Sequence, residues 1–444
     1  MKEIATKICS ILQNNGNDAV FAGGFVRDMI MGKPAHDIDI ATSASPDIVV
    51  SLLKRNHFLI KEVGKAFGVV LAKSGDIEFE IATFRTEEGY SDGRHPDKVS
   101  FSTMEEDAKR RDLTINALFF DPIKEEIIDF VNGQNDIRDG IIRFVGVADE
   151  RINEDKLRMM RTIRFAIKLG FKIDDPSFEA IRKHASEINM VSPERINQEF
   201  TKMLECRRPS LMFDLLDSSN LMTYIFPEIK KLVGLPQDPE WHAEGSVDIH
   251  TKMVMENLKD GSIELILGGM FHDVGKFDTF AIKENGRIGA HGHDKVGAEI
   301  TGNVLRRLKF SNEQIDHVTA LVENHMKGHR ASEMKKSTLR RYIAQPYFDD
   351  ILRLTEADAM SSNKDVSEIN YIKNHIEEFK DWKELPNPII SGKDLIELGL
   401  KPGPKFKILL DACMDKQLEG SFVTKEDGII FLKSLVEEGY GQKI

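Results

Sequence analysis

The sequence predicts an α+β protein whose N-terminal part contains a small mixed β-sheet and whose remaining part is helical. Residues 1 to about 140 combine amphipathic helical stretches with short runs in which apolar and polar residues alternate. From about residue 150 the apolar residues recur with helical spacing, and few β-strand signals follow. At 444 residues the chain is also too long for a single core, so two to four domains are expected.

The composition is that of an ordinary soluble protein, with 41% hydrophobic and 30% charged residues. Polar residues interrupt the N-terminal apolar stretch, which excludes a signal peptide, and no stretch is long enough to span a membrane. We therefore expect a cytoplasmic protein. Three scattered cysteines predict neither a disulfide framework nor a zinc site.

The formal net charge of −12 does not favour RNA binding by the surface as a whole, because RNA phosphates are bound by clustered Lys and Arg side chains. Basic residues do concentrate in two stretches, Arg195–Arg208 and Lys327–Arg341. Taken alone, each stretch is better explained as a solvated helical face.

The N-terminal part should begin with a helix whose apolar residues include Ile4, Ile8 and Leu12. Alternating or continuous apolar runs then predict strands at Asp18–Ala22, Asp37–Ala41, Val69–Leu71 and Ile77–Ile81. A stretch rich in Gly, Asp and Ser between Thr86 and Pro96 is typical of a mobile loop.

Two glycines and two acids in this part suggest a site for a triphosphate and metal ions. Gly23 and Gly24 follow the first strand, so backbone N–H groups can approach phosphates closely, and Arg27 can add a charged fork. Asp37 and Asp39 lie two apart on a predicted strand, so both carboxylates project from one face. Such neighbours repel unless a cation joins them, and two hard divalent ions such as Mg²⁺ satisfy that arrangement. Either feature alone is weak evidence for such a site. The two together, in this order and within twenty residues, are strong evidence for it.

A third group of polar residues follows Asn153, which with Glu154 and Asp155 predicts the start of a helix. In a helix, Asp155 and Arg158 share a face because they are three residues apart. A carboxylate acceptor beside a guanidinium donor complements the Watson–Crick edges of cytosine and adenine and opposes those of uracil and guanine. Mispaired groups in a buried site discriminate by factors of about 10⁴, so CTP or ATP could be chosen without a template. A surface helix with ordinary ion pairs is the alternative.

Histidines concentrate between His242 and His329, and a second group of candidate ligands lies on separate predicted helices between residues 250 and 358. Imidazoles and carboxylates on separate helices can converge on a divalent or transition metal. The candidate ligands are His250, His272, Asp273, His293, His325 and Asp358.

Several of these segments resemble the successive signature motifs of class II tRNA nucleotidyltransferases (CCA-adding enzymes) and bacterial poly(A) polymerases. The match runs from residue 20 to about 200 in the correct order. The matching segments are GGFVRD (23–28), DID (37–39), RRDLTINAL (110–118), EDKLRMMRTIRFA (154–166) and SPERINQEF (192–200).

The resemblance implies roles for individual residues of this chain. Asp37 and Asp39 would be catalytic and bind Mg²⁺, and Asp155 and Arg158 would read the base. Glu80, on an alternating strand, is either a further carboxylate near the metals or an ordinary exposed acid. The residues that would contact other parts of the nucleotide are Gly24, Arg27, Arg111, Arg161 and Arg164. The implied partners are the tRNA acceptor arm, CTP and ATP. Lys156 stands where proline is frequent in the family, a departure that we do not expect to alter base selection.

The histidine-rich segments resemble HD-superfamily phosphohydrolases, in which His250, His272, Asp273 and Asp358 match the metal ligands. The resemblance implies a second divalent metal such as Ni²⁺ or Mn²⁺, and some tRNA nucleotidyltransferases carry such a domain. Whether it hydrolyses a phosphate ester stays open at this point.

The expected organisation is a nucleotidyltransferase head (1–140), a helical neck and body that bind the base and tRNA (141–235), an HD domain (236–384) and a helical tail (385–444). The sequence gives no oligomeric state.

CCA addition to tRNA is the leading hypothesis, and partial addition (CC or A only) and poly(A) synthesis are its alternatives. Residues 63–68 lack the adjacent basic residues that often accompany poly(A) polymerases, and residues 87–96 resemble the flexible segment with which full CCA enzymes change from C to A. Two other classes are an HD phosphohydrolase that only binds tRNA through its N-terminal half and a non-catalytic RNA-binding module. The intact acids at Asp37 and Asp39 argue against the first, and the acidic net charge and two complete sets of candidate metal ligands argue against the second.

Overall fold

The computed structural model describes residues 1–34, 37–61, 68–88, 98–362, 365–378 and 384–439. Most of the predicted loop at 86–96 and of the segment at 63–68 lies outside these residues, so both interpretations stay predictions. The chain forms two compact units. The N-terminal unit comprises residues 1–230 with 307–309, and the C-terminal unit comprises 231–306 with 310–444.

The N-terminal unit combines strands and helices. Its strands are β1 (Ala19–Ala22), β2 (Asp39–Thr42), β3 (Leu59–Lys61), β4 (Val69–Ser74), β5 (Ile77–Thr83), β6 (Arg85–Glu88), β7 (Lys98–Phe101), β8 (Leu118–Asp121), β9 (Glu126–Asp129), β10 (Ile141–Ile142) and β11 (Lys172–Ile173). Its helices are α1 (Lys2–Gln13), α2 (Gly24–Ile30), α3 (Pro46–Arg55), α4 (Met104–Lys109), α5 (Gly133–Asp139), α6 (Ala148–Glu154), α7 (Arg158–Leu169), α8 (Asp175–His184), α9 (Pro193–Leu204), α10 (Pro209–Ser218), α11 (Leu221–Ile225) and α12 (Pro227–Lys230).

Seven strands form one mixed sheet in the order β3-β4-β5-β2-β1-β8-β9, which confirms the predicted α+β class. β2 and β5 run parallel, whereas the other neighbouring pairs of this sheet are antiparallel. All four residues of β1 and of β8 are buried, which explains why these central strands contain continuous apolar runs rather than alternation.

The predicted helix start at Asn153 is wrong, because Asn153 lies near the end of α6. α6 ends at Glu154, and Asp155 has extended backbone angles (φ −149°, ψ 109°). The Asp155 carboxylate accepts a hydrogen bond from the backbone N–H of Leu157 (3.0 Å), which turns the chain before α7 begins at Arg158. Asp side chains compete with helical hydrogen bonding in this way, so the acid that suggested a helix start instead separates two helices.

The C-terminal unit is helical apart from one short hairpin. Its helices are α13 (Val247–Asn257), α14 (Ile263–Phe271), α15 (His293–Arg307), α16 (Asn312–Asn324), α17 (Lys336–Ile343), α18 (Phe348–Met360), α19 (Ser367–Glu378), α20 (Gly392–Glu397), α21 (Pro404–Leu418) and α22 (Lys425–Glu437), and the hairpin is β12 (Phe280–Ile282) with β13 (Ile288–Ala290). One apolar core lies among α13, α14, α16, α17, α18 and α19, and a second lies among α20, α21 and α22. Among the described residues, no helix has the length and apolar character needed to cross a membrane.

Candidate active site and metal centre

A cavity of about 530 Å³ in the N-terminal unit brings together most of the residues that the motifs single out. Its wall is formed by the turn between β1 and α2 with the start of α2, by residues of β2, β4, β5 and β6, by the segment from Arg110 to Asn116, and by Asp155 and α7. The predicted residues that line it are Gly24, Arg27, Asp39, Arg111, Asp155, Arg158, Arg161 and Arg164. Asp37, which the sequence predicted to lie on the strand, precedes the first residue of β2 and is not part of the wall.

The glycine turn is shaped for close approach of another group. Gly23 has φ +68°, and a Cβ there would lie 3.2 Å from the Arg111 guanidinium, so glycine is needed at this position. Arg27, which is 3% exposed, donates to Asn116 Oδ1 (2.7 Å) and to Asp28 (2.8 Å). These bonds hold the Arg27 guanidinium at the cavity wall.

Three carboxylates, Asp37, Asp39 and Glu80, lie close enough to influence one another, and Asp39 and Glu80 line the cavity. Asp39 is in register with Ala22, next to the glycine turn, and the parallel pairing of Ile40 with Ile81 places Glu80 beside it. Asp37 and Asp39 are exposed, whereas the intervening Ile38 is buried, so the alternation predicted for the two acids is present.

The pKa values of these acids reflect their crowding. The pKa of Asp39 is raised, first by loss of solvent around the carboxyl and then by the negative charge of Asp37, against the opposing effect of Arg111. The pKa of Glu80 is raised by loss of solvent and by the charge of Asp39. Carboxylates that repel one another in this way are a suitable oxygen set for a divalent cation. The sequence left the role of Glu80 open, and its alternating strand was the available signal.

The expectation that Asp155 and Arg158 share one helical face is wrong, because the turn at Asp155 lies between them. Both side chains nevertheless line the cavity. Asp155 Oδ2 accepts a hydrogen bond from Arg195 Nη2 (2.6 Å), while Arg158 forms an ion pair with Glu154. Arg195 is 18% exposed and therefore does not lie on the solvated face that the sequence suggested. Nothing local in the sequence indicated this contact across 40 residues.

Arginine–carboxylate pairs fix the remaining guanidinium groups. Arg161 donates twice to Asp112 (2.9 and 2.7 Å), and Arg164 donates to Glu199 (2.6 Å). Burial opposes ionisation of Asp112, but the Arg161 charge and hydrogen bonds hold the pKa of its carboxyl below the usual value. Neither acid was predicted to belong to the site.

The cavity is locally basic although the chain is acidic. Among the described residues, eight cationic side chains and four carboxylates line it. The cations are Arg27, Arg85, Arg110, Arg111, Arg158, Arg161, Arg164 and Lys168, and the carboxylates are Asp39, Glu80, Asp112 and Asp155. This local excess of positive charge suits a polyanionic ligand and removes the objection raised by the net charge of −12.

In the C-terminal unit the structure brings the four predicted metal ligands together. His250 lies on α13, His272 and Asp273 follow α14, and Asp358 lies on α18. His250 Nε2 is 2.9 Å from Asp358 Oδ1 and 3.9 Å from Asp273 Oδ2, and His272 Nε2 is 3.2 Å from Asp273 Oδ2. All four side chains are at most 2% exposed.

The other carboxylate oxygen of Asp273 faces a second pair of imidazoles. Asp273 Oδ1 lies 3.3 Å from His293 Nε2 and 4.0 Å from His325 Nε2. His272, His293 and His325 each place Nδ1 within 2.9 Å of a backbone carbonyl (Gly269, Ala290 and Val322). Nδ1 therefore donates to the backbone, and each Nε2 is left to face the cluster, which is the usual orientation of metal-binding histidines. Candidate ligand atoms fall within 4.8 Å of one another in two sets that share Asp273.

The close packing of imidazoles and carboxylates in this cluster shifts several of their pKa values. Burial opposes ionisation of Asp273, but the neighbouring His272 and Lys276 hold the pKa of its carboxyl well below the ordinary value. Burial and the neighbouring imidazoles lower the pKa of His325 far below its ordinary value, so this ring is neutral and able to bind a metal. Burial opposes the charged form of His250, but hydrogen bonds with Asp358 and Glu244 raise its pKa to about 9.

Three polar residues that the sequence did not predict surround the cluster. Glu244 Oε1 lies 2.8 Å from Nδ1 of both His242 and His250, so this carboxylate orients two imidazoles. His329 Nε2 lies 2.7 Å from Asp358 Oδ2. Glu244 had no motif or periodic signal that could have identified it.

The mixed sheet, glycine turn, crowded carboxylates and basic cavity together define a nucleotidyltransferase. Three family descriptions match the chain: the poly A polymerase head domain at residues 19–143, the RNA and SrmB binding site of polymerase A at 170–232, and tRNA nucleotidyltransferase domain 2 at 295–432.

Full-length relatives narrow the class. The CCA-adding enzyme of Lactiplantibacillus plantarum is 31% identical over 98% of this chain and 97% of its own length, and that of Ligilactobacillus salivarius is 32% identical over 98% and 96%. The crystal structure of the Bacillus stearothermophilus CCA-adding enzyme in complex with CTP has a TM-score of 0.73 and 26% identity, and covers 99% of this chain and 98% of that one. The chain belongs to the CCA-adding enzymes and is a tRNA nucleotidyltransferase.

The Asp112–Arg161 pair predicts a pH-dependent contribution to stability. Replacing Asp112 by Asn removes the charged acceptor, and we expect the free energy of opening α7 to fall by about 1–2 kcal/mol at pH 7. Because the pKa of Asp112 is lower in the folded protein, its contribution is complete above the unfolded value of about 3.9 and is lost as the pH falls below it. Hydrogen exchange of the α7 amides from pH 7 to pH 3 measures this difference.

The control is Asp139→Asn, which alters an exposed Arg–Asp pair with Arg138 and should leave α7 unchanged. A difference between the wild type and Asp112→Asn that stays constant down to pH 3 would contradict the assignment.

Proposed function

We propose that the N-terminal unit adds C, C and A to the 3′ end of tRNA from CTP and ATP, and that the chain's partner is the tRNA acceptor arm. The observation that supports this proposal most directly is the convergence of the glycine turn, Asp39, Glu80 and the α7 arginines on one cavity. The relatives are named CCA-adding enzymes, and the Bacillus stearothermophilus enzyme was solved with CTP.

In the proposed reaction, the 3′ hydroxyl of the RNA loses its proton to solvent, its oxygen forms a bond with the α-phosphorus of the nucleotide, and the bond to the departing pyrophosphate oxygen breaks. Arg27 and Arg111 neutralise phosphate charge from fixed positions, which lowers the barrier because little reorganisation is needed. Asp37, Asp39 and Glu80 would hold Mg²⁺. When bound, Mg²⁺ supplies activation of the hydroxyl and charge neutralisation on the pyrophosphate.

Base selection is assigned to Asp155 and Arg158. Arg195 and the N–H of Leu157 each occupy one lone-pair direction of the Asp155 carboxylate, which leaves further acceptor capacity for an exocyclic amino group of C or A. Arg158 supplies the donor for the ring nitrogen. Arg195 orients Asp155 and thereby defines which edge of the base is accepted.

The alternatives within the class are addition of CC or A alone and poly(A) synthesis. The four-part division into head (1–140), neck and body (141–235), HD domain (236–384) and tail (385–444) belongs to this proposal, in which residues after about 170 cradle the acceptor arm by its shape and backbone.

The test of the transferase uses tRNAs that end at the discriminator base, at C and at CC, each with single nucleoside triphosphates and Mg²⁺. We expect three ordered additions. Asp37→Ala and Asp39→Ala should each abolish incorporation while tRNA still binds, because they remove metal-binding oxygens and leave the RNA surface intact. Gel analysis of labelled products and a filter-binding assay measure the two effects.

Glu78→Gln is the matched control, since Glu78 lies on β5 two residues before Glu80 and pairs with Lys61. Long A tails would move the assignment to poly(A) synthesis. Incorporation by either Asp variant at the wild-type rate would overturn the proposed metal site.

The base-reading assignment predicts altered discrimination rather than loss of catalysis. Asp155→Ala should reduce the preference for CTP over UTP by about 10² or more, because the opposing acceptor is gone. Arg195→Ala should cause a smaller loss in the same direction. The ratio of kcat/KM for the two nucleotides measures both effects, with the exposed Arg182→Ala as the control. Unchanged discrimination against UTP in Asp155→Ala would refute the assignment.

We further propose that the C-terminal unit is an HD domain that binds a divalent metal such as Ni²⁺ or Mn²⁺ and hydrolyses phosphate esters. The supporting observation is that His250, His272, Asp273 and Asp358 converge on one buried point. Their donor set of imidazole nitrogens and carboxylate oxygens suits such metals. Metal binding alone, without hydrolysis, is the alternative for this site.

This second proposal predicts hydrolysis of 2′,3′-cyclic nucleotides in the presence of Ni²⁺ or Mn²⁺. The variant His272→Ala/Asp273→Ala should show only background hydrolysis and should lose bound metal, measured by elemental analysis. His317→Ala is the control, because His317 stacks on Tyr347 outside the cluster. Equal hydrolysis by the wild type and the double variant would remove the phosphohydrolase proposal.

A further inference from the structure

The turn between α6 and α7 carries both residues to which base reading is assigned, so the contacts that fix this turn also fix the orientation of their side chains. Asp155 has an extended backbone, and Arg158 is the first residue of α7. Arg195 of α9 holds the carboxylate of Asp155 from one side (2.6 Å). The side chain of Lys156, which lies between the two base readers in the sequence, is held by a different part of the N-terminal unit.

Lys156 is buried, and buried lysines are nearly always paired with an acid. The residue is 6% exposed, and its Nζ donates to Asn153 Oδ1 (2.6 Å) and forms an ion pair with Glu187. Lys156 is not among the described residues that line the transferase cavity. Its ammonium group therefore acts on the turn and not on a nucleotide in the cavity.

Glu187 connects the turn to the end of α8. It lies in a 3₁₀ helix (Ala185–Met190) that follows α8, and its Oε1 is 2.6 Å from Nδ1 of His184. The other ring nitrogen of His184, Nε2, is 2.7 Å from Oδ1 of Asp149 in the first turn of α6. We call Lys156, Glu187, His184 and Asp149 the Lys156 network. It begins just after α6 and returns to the start of α6, so it encloses the segment that leads into the turn.

The charges in the Lys156 network favour its formation at neutral pH. Hydrogen bonds from Lys156 and then from His184 lower the pKa of the Glu187 carboxyl, although burial opposes this effect. Glu187 is therefore ionised, and Lys156 has a charged partner. If that charge were removed, the buried ammonium group would lose its partner, and the turn would have to move to expose it to solvent.

We propose that Lys156 and Glu187 are positioning residues for base selection, because their ion pair holds the turn so that the Asp155 carboxylate and the Arg158 guanidinium face the same base edge. The inference rests on the base-reading assignment made above and adds the residues that maintain it. Neither Lys156 nor Glu187 contacts the nucleotide. Lys156 therefore supports the choice of base and does not change it, which is compatible with the expectation from the sequence.

The test measures kcat/KM for CTP and for UTP with tRNA that ends at the discriminator base, using the full-length protein and Mg²⁺. Lys156→Met keeps the aliphatic stem and removes the charge, and Glu187→Gln removes the charge at the other end. Each should lower the preference for CTP over UTP by about tenfold, because a displaced base reader loses much of its discrimination. The kcat for CTP should change by less than about twofold, since the metal-binding acids are untouched.

Lys156→Arg should restore most of the preference, because it keeps a cation within reach of Glu187. Should Lys156→Met fail to fold, Glu187→Gln carries the same test, since the Glu187 side chain is 33% exposed. The matched control is Lys183→Met, because Lys183 is 69% exposed and pairs with Asp149, at the end of the Lys156 network that is far from the turn. It should leave the preference unchanged. An equal loss in this control would show general destabilisation and would overturn the inference.

A double-mutant cycle tests whether the two residues act through one ion pair. If they do, Lys156→Met/Glu187→Gln should lower the preference no further than either single substitution. Two independent effects would multiply to about a hundredfold and would contradict the inference.

The variant Asp155→Ala separates the inference from the assignment on which it rests. If Asp155→Ala relaxes selection but Lys156→Met and Glu187→Gln do not, the inference fails and the base-reading assignment stands. If Asp155→Ala leaves selection unchanged, the base-reading assignment fails, and hydrogen exchange of the Leu157 amide, which donates to Asp155, tests the hold on the turn by itself. Faster exchange in both variants, with the wild-type rate in Lys156→Arg, supports that hold, and wild-type exchange in both variants overturns it.

Discussion

The arrangement of the transferase site depends on the parallel pairing of β2 with β5. This pairing sets Asp39 beside Glu80, while the antiparallel pairing of β2 with β1 sets Asp39 opposite Ala22 and next to the glycine turn. A shift of one residue in either register would turn the acids toward the apolar core. The buried residues Ile38 and Ile40 prevent that shift, because they would then face the solvent. The buried isoleucines of this segment therefore fix the direction in which Asp39 faces.

A second constraint is that the guanidinium groups of the cavity are held by carboxylates before any ligand arrives. Arg161 is bound by Asp112, Arg164 by Glu199, and Arg111 by Asp107. Arginine side chains lose considerable conformational freedom when they bind a phosphate, and these pairs remove part of that freedom in advance. Two of these pairs also join elements, since Asp112–Arg161 links the segment before β8 to α7 and Glu199–Arg164 links α9 to α7.

Local pattern was sufficient to predict the sheet, the helical remainder and eight of the residues that line the cavity, because these depend on periodicity and on short motifs. It was insufficient where a side chain is defined by a distant partner. Asp155 resembled a residue in the first turn of a helix, yet its contacts with Leu157 and Arg195 place it in a turn between two helices. Glu244 has no motif of its own and is identified only by its distance from His242 and His250. Such contacts depend on how the helices pack, and the spacing of residues along the sequence does not show this packing.

The two candidate metal sites differ in the chemistry of their donor atoms, so we expect them to prefer different metals. Asp37, Asp39 and Glu80 provide oxygen atoms alone, a set that suits a small hard cation such as Mg²⁺. The cluster around Asp273 provides mainly imidazole nitrogens, which bind Mn²⁺ and especially Ni²⁺ far better than they bind Mg²⁺. The electrostatics agree with this division. Burial, and after it the charge of Asp37, raise the pKa of Asp39 against the effect of Arg111, so the oxygen set gains from any divalent cation, whereas His272 and Lys276 already stabilise the charge of Asp273. A metal at the second site would take the place of these favourable contacts, which favours an ion that forms strong bonds to nitrogen.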